Sequence, residues 1–229
     1  MMRSVPGAVM APASGLARGR VLDIEVWYDF ICPWCLIGKR NLETALSLLG
    51  ARHPEVATTL RWHSQPLLPL TPASGMPYVD FYRKRLGGPT AVAMRQAQVL
   101  ASARHAGVTI AFERIEVLSS TLAAHHLVAE AQREAPGGVL AGRVIDALFH
   151  EYFVLGHDIG RRDVLQAVAA RCGVTGDAEA MPLVPKSFQA PAVPFFRFGG
   201  GMTVGGAESP ETLLQAMERA LEQLEADCG

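Results

Sequence analysis

The 229-residue chain has almost no net charge, few cysteines and no long apolar run, and each shortage narrows its chemistry. A net charge of −1 supplies no basic field to draw a nucleic acid or an anionic membrane surface. No stretch offers the ~18 or more consecutive apolar residues of a membrane span. Of the four cysteines, Cys172 and Cys228 stand alone and far apart, so no second ligand pair completes a tetrahedral zinc site and no metal is expected. Cys172 reads as a small buried hydrophobe and Cys228 as part of a fraying C-terminus. Internal repeats and phosphate-binding glycine signatures are lacking as well, and Gly199 to Gly201 reads as a turn. Residues 1–20, rich in Ala, Gly, Pro and Ser, contain no continuous apolar segment of the export-signal kind, because Pro6, Pro12 and scattered arginines interrupt them. They read as a disordered tail, and the expected compartment is the reducing cytoplasm.

What is present is Cys32, Pro33, Trp34 and Cys35 at the junction of a strand and a helix. Leu22, Ile24, Val26, Tyr28 and Phe30 alternate with Asp23, Glu25, Trp27 and Asp29, the period of a strand entering a core. Leu42, Ala45, Leu46 and Leu49 then recur at helical spacing, with Lys39 and Arg40 expected in solvent and Gly50 as the stop. A helix N-terminus presents unpaired N–H groups and the positive end of the macrodipole, which favour a thiolate at Cys32. Cys35, one turn further on, is placed to resolve a mixed disulfide formed there. Pro33 suits a first helical turn, and Trp34 offers an apolar surface beside the sulfur. In a reducing compartment such a pair is a transient catalytic dithiol rather than a structural bridge.

The run Trp27 to Arg40, WYDFICPWCLIGKR, resembles the active-site segment of the DsbA-like thioredoxin-fold oxidoreductases, in particular the FrnE-like branch. Phe81 to Arg85, Ala103 to Phe112, Thr121 to Leu127, Leu148 to Gly160 and Val193 to Leu214 follow that branch's pattern in order, so the resemblance spans residues 21–225. It implies an α/β chain with a thioredoxin-like fold and a helical, DsbA-type insertion domain. Residues 21–76 and 186–229 would form the discontinuous thioredoxin-like domain, and residues 77–185 a helical insertion that caps the active site. Alanine-rich helical patterns over Thr90 to Gly107, Leu122 to Ala135, Val139 to Leu155 and Val164 to Cys172 agree with the insertion. Ser209, Pro210 and Glu211 open a last helix, whose Leu213, Leu214, Met217, Leu221 and Leu224 form a core-facing stripe.

The resemblance also implies that Pro194 is a cis proline opposite the cysteines, with the N–H and C=O of Val193 pairing with an extended substrate segment. On the residues alone, a trans proline at a strand start is the default. His125 matches a position the family commonly fills with histidine, in a region, Thr121 to His126, that the resemblance places at the cleft; on the residues alone a structural hydrogen bond or plain exposure is the better reading of a lone helix histidine than a catalytic role. His157 and Asp158 read as a cap for the helix from Arg161. One departure stands out: Gly173 to Ala192, with Pro182, Pro185 and Pro191, is short and lacks the charged helix that leads into the cis-proline strand.

The expectation is therefore a thiol-disulfide oxidoreductase with Cys32 and Cys35 catalytic and Pro33, Trp34, Val193, Pro194 and His125 contacting substrate. It needs no bound cofactor, with glutathione left open as reductant or co-substrate. Its partners are protein or small-molecule thiols and disulfides, neither nucleic acid nor membrane, with a homodimer through the helical region left open. Two rivals remain at this level. One is a glutathione-dependent isomerase or transferase of the same fold acting on a small molecule, as in polyketide metabolism, although that branch carries serine in place of Cys32. The other is a non-catalytic, chaperone-like module whose apolar cleft, with Trp34, Phe195 and Phe196, holds peptides.

Overall fold

The computed structural model describes residues 20–176 and 188–228. The expected tail, apart from Arg20, and the prolines Pro182 and Pro185 lie outside the described residues. Strand β1 (Val21–Tyr28) sits inside a four-stranded sheet. Its parallel neighbour is β2 (Ala57–Ser64), in register from Val21 opposite Ala57 to Tyr28 opposite Ser64. On its other side runs antiparallel β5 (Phe195–Phe198), followed by antiparallel β6 (Met202–Gly205). The order β2-β1-β5-β6 thus joins two strands from the start of the chain to two from its end. The alternation in β1 is real: Leu22, Ile24, Val26 and Tyr28 are each at most 2 % exposed.

Helix α1 (Pro33–Arg52) and helix α7 (Pro210–Cys228) pack against each other, and Leu42, Ala45 and Leu49 share one core with Leu213, Met217 and Leu221. Such burial is the main stabilising term available to a chain of this size. Ser209 Oγ accepts the Thr212 N–H at 3.2 Å, so α7 begins on the expected serine cap. Helix α1 outlasts Gly50 and ends at Arg52, where the His53 N–H closes the last turn on Leu49 O at 2.7 Å. Lys39, expected in solvent, is buried. Its ammonium reaches Glu43 and, at 2.5 Å, Asp146, and lies 5.8 Å from the centre of the Trp62 ring. An ammonium leaves water only with such partners.

Between β2 and β5 run β3 (Met76–Pro77), α2 (Tyr78–Leu86), α3 (Pro89–His105), β4 (Val117–Leu118), α4 (Leu122–Glu134), α5 (Val139–His150) and α6 (Arg162–Cys172). β3 and β4 form a separate two-residue ladder that sequence pattern does not announce. The helical pattern expected through Leu155 changes character, since α5 continues as a π-helical turn over Glu151–Leu155. That turn ends at Gly156, whose φ of +76° and a would-be Cβ only 2.2 Å from Arg114 O both demand glycine. His157 and Asp158 do not cap α6 with their side chains: Asp158 accepts the Gly160 N–H at 2.9 Å and His157 pairs with Glu151 at 2.6 Å. Cys172 is buried, its thiol directed at Arg143 O at 3.8 Å.

The sheet's second face carries Asp23, Glu25 and Trp27 of β1 beside Thr59, Arg61 and His63 of β2. Trp27 stands at an outward position yet is 2 % exposed. His63 stacks on it at 4.5 Å, Phe188 meets it edge-on at 5.0 Å, and the Arg197 guanidinium lies 5.1 Å from its centre. Phe195 joins this small second cluster while Phe196 faces the main core. The two phenylalanines are therefore buried on opposite sides of β5, and the expected peptide cleft built from both does not form.

Candidate active site

Cys32 occupies the N-cap of α1 with extended backbone angles (φ −93°, ψ 106°), and Pro33 opens the helix. No side chain caps this end and its first turn holds no acid, so no first-turn carboxylate offsets the helix's positive pole beside Cys32. The Cys35 N–H donates to Cys32 O at 3.0 Å, setting the second thiol one turn inward. Both cysteines are free. Cys32 is 6 % exposed against 2 % for Cys35, which makes Cys32 the more accessible sulfur. Burial pushes the Cys35 thiol well above the usual range, and the neighbouring Cys32 pushes it further in the same direction.

The irregular segment from residue 188 to Pro194 returns to this helix end ahead of β5. The Val193–Pro194 peptide is cis. Val193 is half-buried, and its carbonyl oxygen lies 3.7 Å from Cys32 Sγ. Pro194 packs on Gly38 so closely that a Cβ on Gly38 would stand 2.7 Å from Pro194 Cγ. Upstream, Gln65 grips the backbone of Ala190 twice, Nε2 donating to Ala190 O and Oε1 accepting from Ala190 N, both at 2.8 Å. The side chain of Gln65 thereby mimics one rung of a β-ladder and ties the segment before Val193 to the end of β2.

Below the cysteines lies a wholly buried pair that sequence reading had split. Asp29 Oδ1 accepts from Phe30 N at 2.8 Å and from His125 Nε2 at 3.0 Å, and Asp29 Oδ2 accepts from Leu67 N at 2.7 Å. Both side chains are 0 % exposed. Asp29 O also accepts the Cys32 N–H at 3.3 Å, so the carboxylate belongs to the turn that presents Cys32. His125, packed between the rings of Tyr28 and Phe30, thus reaches the site through Asp29 and has no open path to solvent. Its Nδ1, like the hydroxyls of Tyr28 and Tyr152, is buried without a protein partner. Thr121 and His126 flank it, Thr121 O accepting the His125 N–H at 2.9 Å.

Helices α2 and α3 bring the remaining neighbours. Trp34 is half-buried, with the Arg95 guanidinium 5.5 Å from its ring centre. Burial, augmented by the charge of Cys32, pushes the Tyr82 hydroxyl up to about 12, with Arg85 and Arg95 opposing the rise. The structure therefore brings together Cys32, Pro33, Trp34, Cys35, Val193 and Pro194, and seats His125 one layer beneath them. Sequence reading missed Gly38, Asp29, Gln65 and Tyr82; Asp29 showed only as the polar phase of the strand that leads to the cysteines. Among the described residues, no cluster of three or more His, Cys, Asp or Glu has the arrangement to hold a metal, and no helix is long and apolar enough to cross a membrane.

Residues 23–189 match the family of the DSBA-like thioredoxin domain. No curated protein sequence matches the chain. Among solved structures, the chain is similar to a probable DsbA oxidoreductase from Streptomyces coelicolor, with a TM-score of 0.71 and 22% identity over 88% of this chain and 90% of that one. It is also similar to a proposed protein disulfide isomerase from Nitrosomonas europaea, with a TM-score of 0.58 and 14% identity over 89% and 99% of the two chains. A 2-hydroxychromene-2-carboxylate isomerase follows, with a TM-score of 0.53 and 14% identity over 90% and 99%. At these identities the likeness concerns the fold.

Proposed function

The chain belongs to the family of DSBA-like thioredoxin domains, and from that premise we propose that it is a thiol-disulfide oxidoreductase working through Cys32 and Cys35. The observation that carries this reading is the pair itself: two free cysteines one helical turn apart, the outer at an uncapped helix N-terminus with its sulfur 3.7 Å from Val193 O. Cys32 thiolate attacks one sulfur of a substrate disulfide, forming a mixed disulfide and expelling the other sulfur as thiolate, which takes up a proton. Cys35 then loses its proton and attacks Cys32 Sγ. The Cys32–Cys35 disulfide forms, the substrate leaves as a second thiol, and two electrons have passed to it. Run backwards, the same steps oxidise a substrate dithiol.

The surroundings support this division of labour. A buried Cys35 held as neutral thiol stays unreactive until the mixed disulfide brings an electrophilic sulfur beside it. Val193 is positioned to receive an extended substrate backbone, and Trp34 to cover its apolar side chains. In this reading residues 77–185 serve as a cap over the cysteines, and substrate binds between cap and Val193. No bound cofactor takes part; glutathione enters as one candidate external thiol.

The decisive experiment equilibrates the full chain across a series of glutathione ratios, alkylates free thiols and weighs the products. Cooperative loss of two alkylation sites at Cys32 and Cys35 is expected, and a Cys35→Ser variant should accumulate a mixed disulfide at Cys32. A pair that stays reduced at every ratio, or a glutathione adduct that Cys35 never clears, would overturn the proposal.

A further inference from the structure

Charge on the helices beside Cys32 is distributed unlike that of the chain as a whole. Residues 78–105, which form α2, α3 and the turn between them, hold Arg83, Lys84, Arg85, Arg95 and Arg104 against a single acid, Asp80, in a chain whose net charge is −1. Arg83, Lys84, Arg85 and Arg95 are exposed. Elsewhere Arg20, Arg52, Arg161, Arg171 and Arg197 each meet a carboxylate, while Arg61, Arg114, Arg143 and Arg219, scattered over other elements, show no such pair among the described residues. Among the described residues no such partner is within ion-pair distance of the cations of α2 and α3, Arg104 being exposed as well, and Arg95 donates only to the neutral Gln98, at 2.7 Å. A last helical turn favours cations on its own account, which explains part of the Arg83 to Arg85 run. It does not explain Arg95, in the body of α3 over the Trp34 ring.

Two further observations locate this field at the site. Arg85 lies 6.0 Å from the centre of the Phe81 ring, next to Tyr82, and the Tyr82 hydroxyl is acted on by Cys32, Arg85 and Arg95 alike. The same helices expose Val79 (47 %) and Met94 (71 %), apolar surface between the charges.

We propose that the α2–α3 hairpin is a docking surface for an acidic polypeptide segment adjoining the cysteine that Cys32 attacks, with Arg85 and Arg95 as its principal contacts. This deepens the oxidoreductase reading and rests on it. Cations spread along two helices with Val79 and Met94 among them suit an extended chain carrying several carboxylates and an apolar side chain. A small anion is served instead by donors converging on one point. Unpaired surface charge steers an oppositely charged partner and accelerates its arrival, an effect that fades as salt shortens the Debye length from about 10 Å at 0.1 M to about 3 Å at 1 M.

The test uses the full chain and disulfide-linked peptides of equal length, flanked by aspartates, serines or lysines, with bis(2-hydroxyethyl) disulfide as an uncharged reference and dithiodiglycolate as a small anionic one. The proposal expects kcat/KM to fall about tenfold from the acidic to the neutral peptide and again to the basic one at low salt, with the spread collapsing at about 1 M salt. In an Arg85→Glu/Arg95→Glu variant the order should invert, an outcome that mere loss of fold cannot produce. Equal rates for the three peptides, or an unchanged order in the variant, would overturn the docking surface while turnover of the uncharged disulfide leaves the oxidoreductase reading standing. A gain for dithiodiglycolate as large as that for the acidic peptide would overturn the polypeptide assignment. Failure to turn over any disulfide would sink both readings together.

Discussion

Replacing Gly38 by alanine tests the coupling between the helix of the cysteines and the strand opposite. The added methyl would sit 2.7 Å from Pro194 Cγ and 3.3 Å from both Pro194 Cβ and Phe196 Cζ. Carbon atoms rest at about 3.5–4.0 Å, so Pro194 must retreat by about 1 Å. Overpacking of this kind costs about 1–3 kcal/mol, and the higher helix propensity of alanine returns about 1 kcal/mol. Stability should therefore drop by only about 0–2 kcal/mol. The rate should suffer far more, because Val193 moves with Pro194 and a 1 Å misplacement at a reacting centre costs about a hundredfold. Gly50→Ala is the control. It lies in the same helix with nothing within 4 Å of its would-be Cβ, so it should gain about 0.5–1 kcal/mol and keep full activity. Urea midpoints and single-turnover rates of mixed-disulfide formation separate the two effects. A Gly38→Ala protein that reduces disulfides at the wild-type rate would refute the idea that Val193 must stand where it does.

Asp29→Ala strands two buried donors, Phe30 N and His125 Nε2, at about 1–3 kcal/mol each, and frees the part-buried Leu67 N, so the urea midpoint should report a loss of at least about 2 kcal/mol; a loss under about 1 kcal/mol would show that the pair is not a structural anchor. Alkaline titration probes the inner thiol. Because Cys35 binds its proton more tightly in the folded protein than the ordinary value of 9.0 allows, the reduced form keeps that stabilisation at neutral pH and loses it as pH rises past about 9. Urea unfolding under reducing conditions from pH 7 to 10 should show the decline in the wild type and a shallower one in Cys35→Ser, and identical slopes would count against the burial argument.

Local signals made β1, α1 and α7 legible in the sequence, because alternation, a strand-to-helix cysteine pair and a Ser-Pro-Glu cap are written within a few residues of where they act. β2 was not, since Ala57 to Ser64 alternates weakly and its register comes from β1. The burial of Lys39 depends on Asp146, more than a hundred residues away, and an exposed helix position looks the same in sequence whether or not a carboxylate arrives over it. His125 could be marked as a candidate near the cysteines, but its partner Asp29 read only as the polar phase of a strand. Gly38 gave no signal at all: its use is the space it leaves for Pro194, which exists only once the two ends of the chain meet.

The order β2-β1-β5-β6 has a consequence for how the molecule is made. Cys32 and Val193 are 161 residues apart, so at ~5–20 residues per second the thiols leave the ribosome roughly 10–30 s before the strand that will face them. During that interval β1 has β2 on one side and an unpaired edge on the other, a template for the wrong neighbour. The nascent dithiol also meets the cell's oxidants without Pro194 and Phe196 behind it. Long-range pairing of this kind slows folding, so the yield of active protein should depend on how quickly residues 195–205 reach the waiting edge of β1.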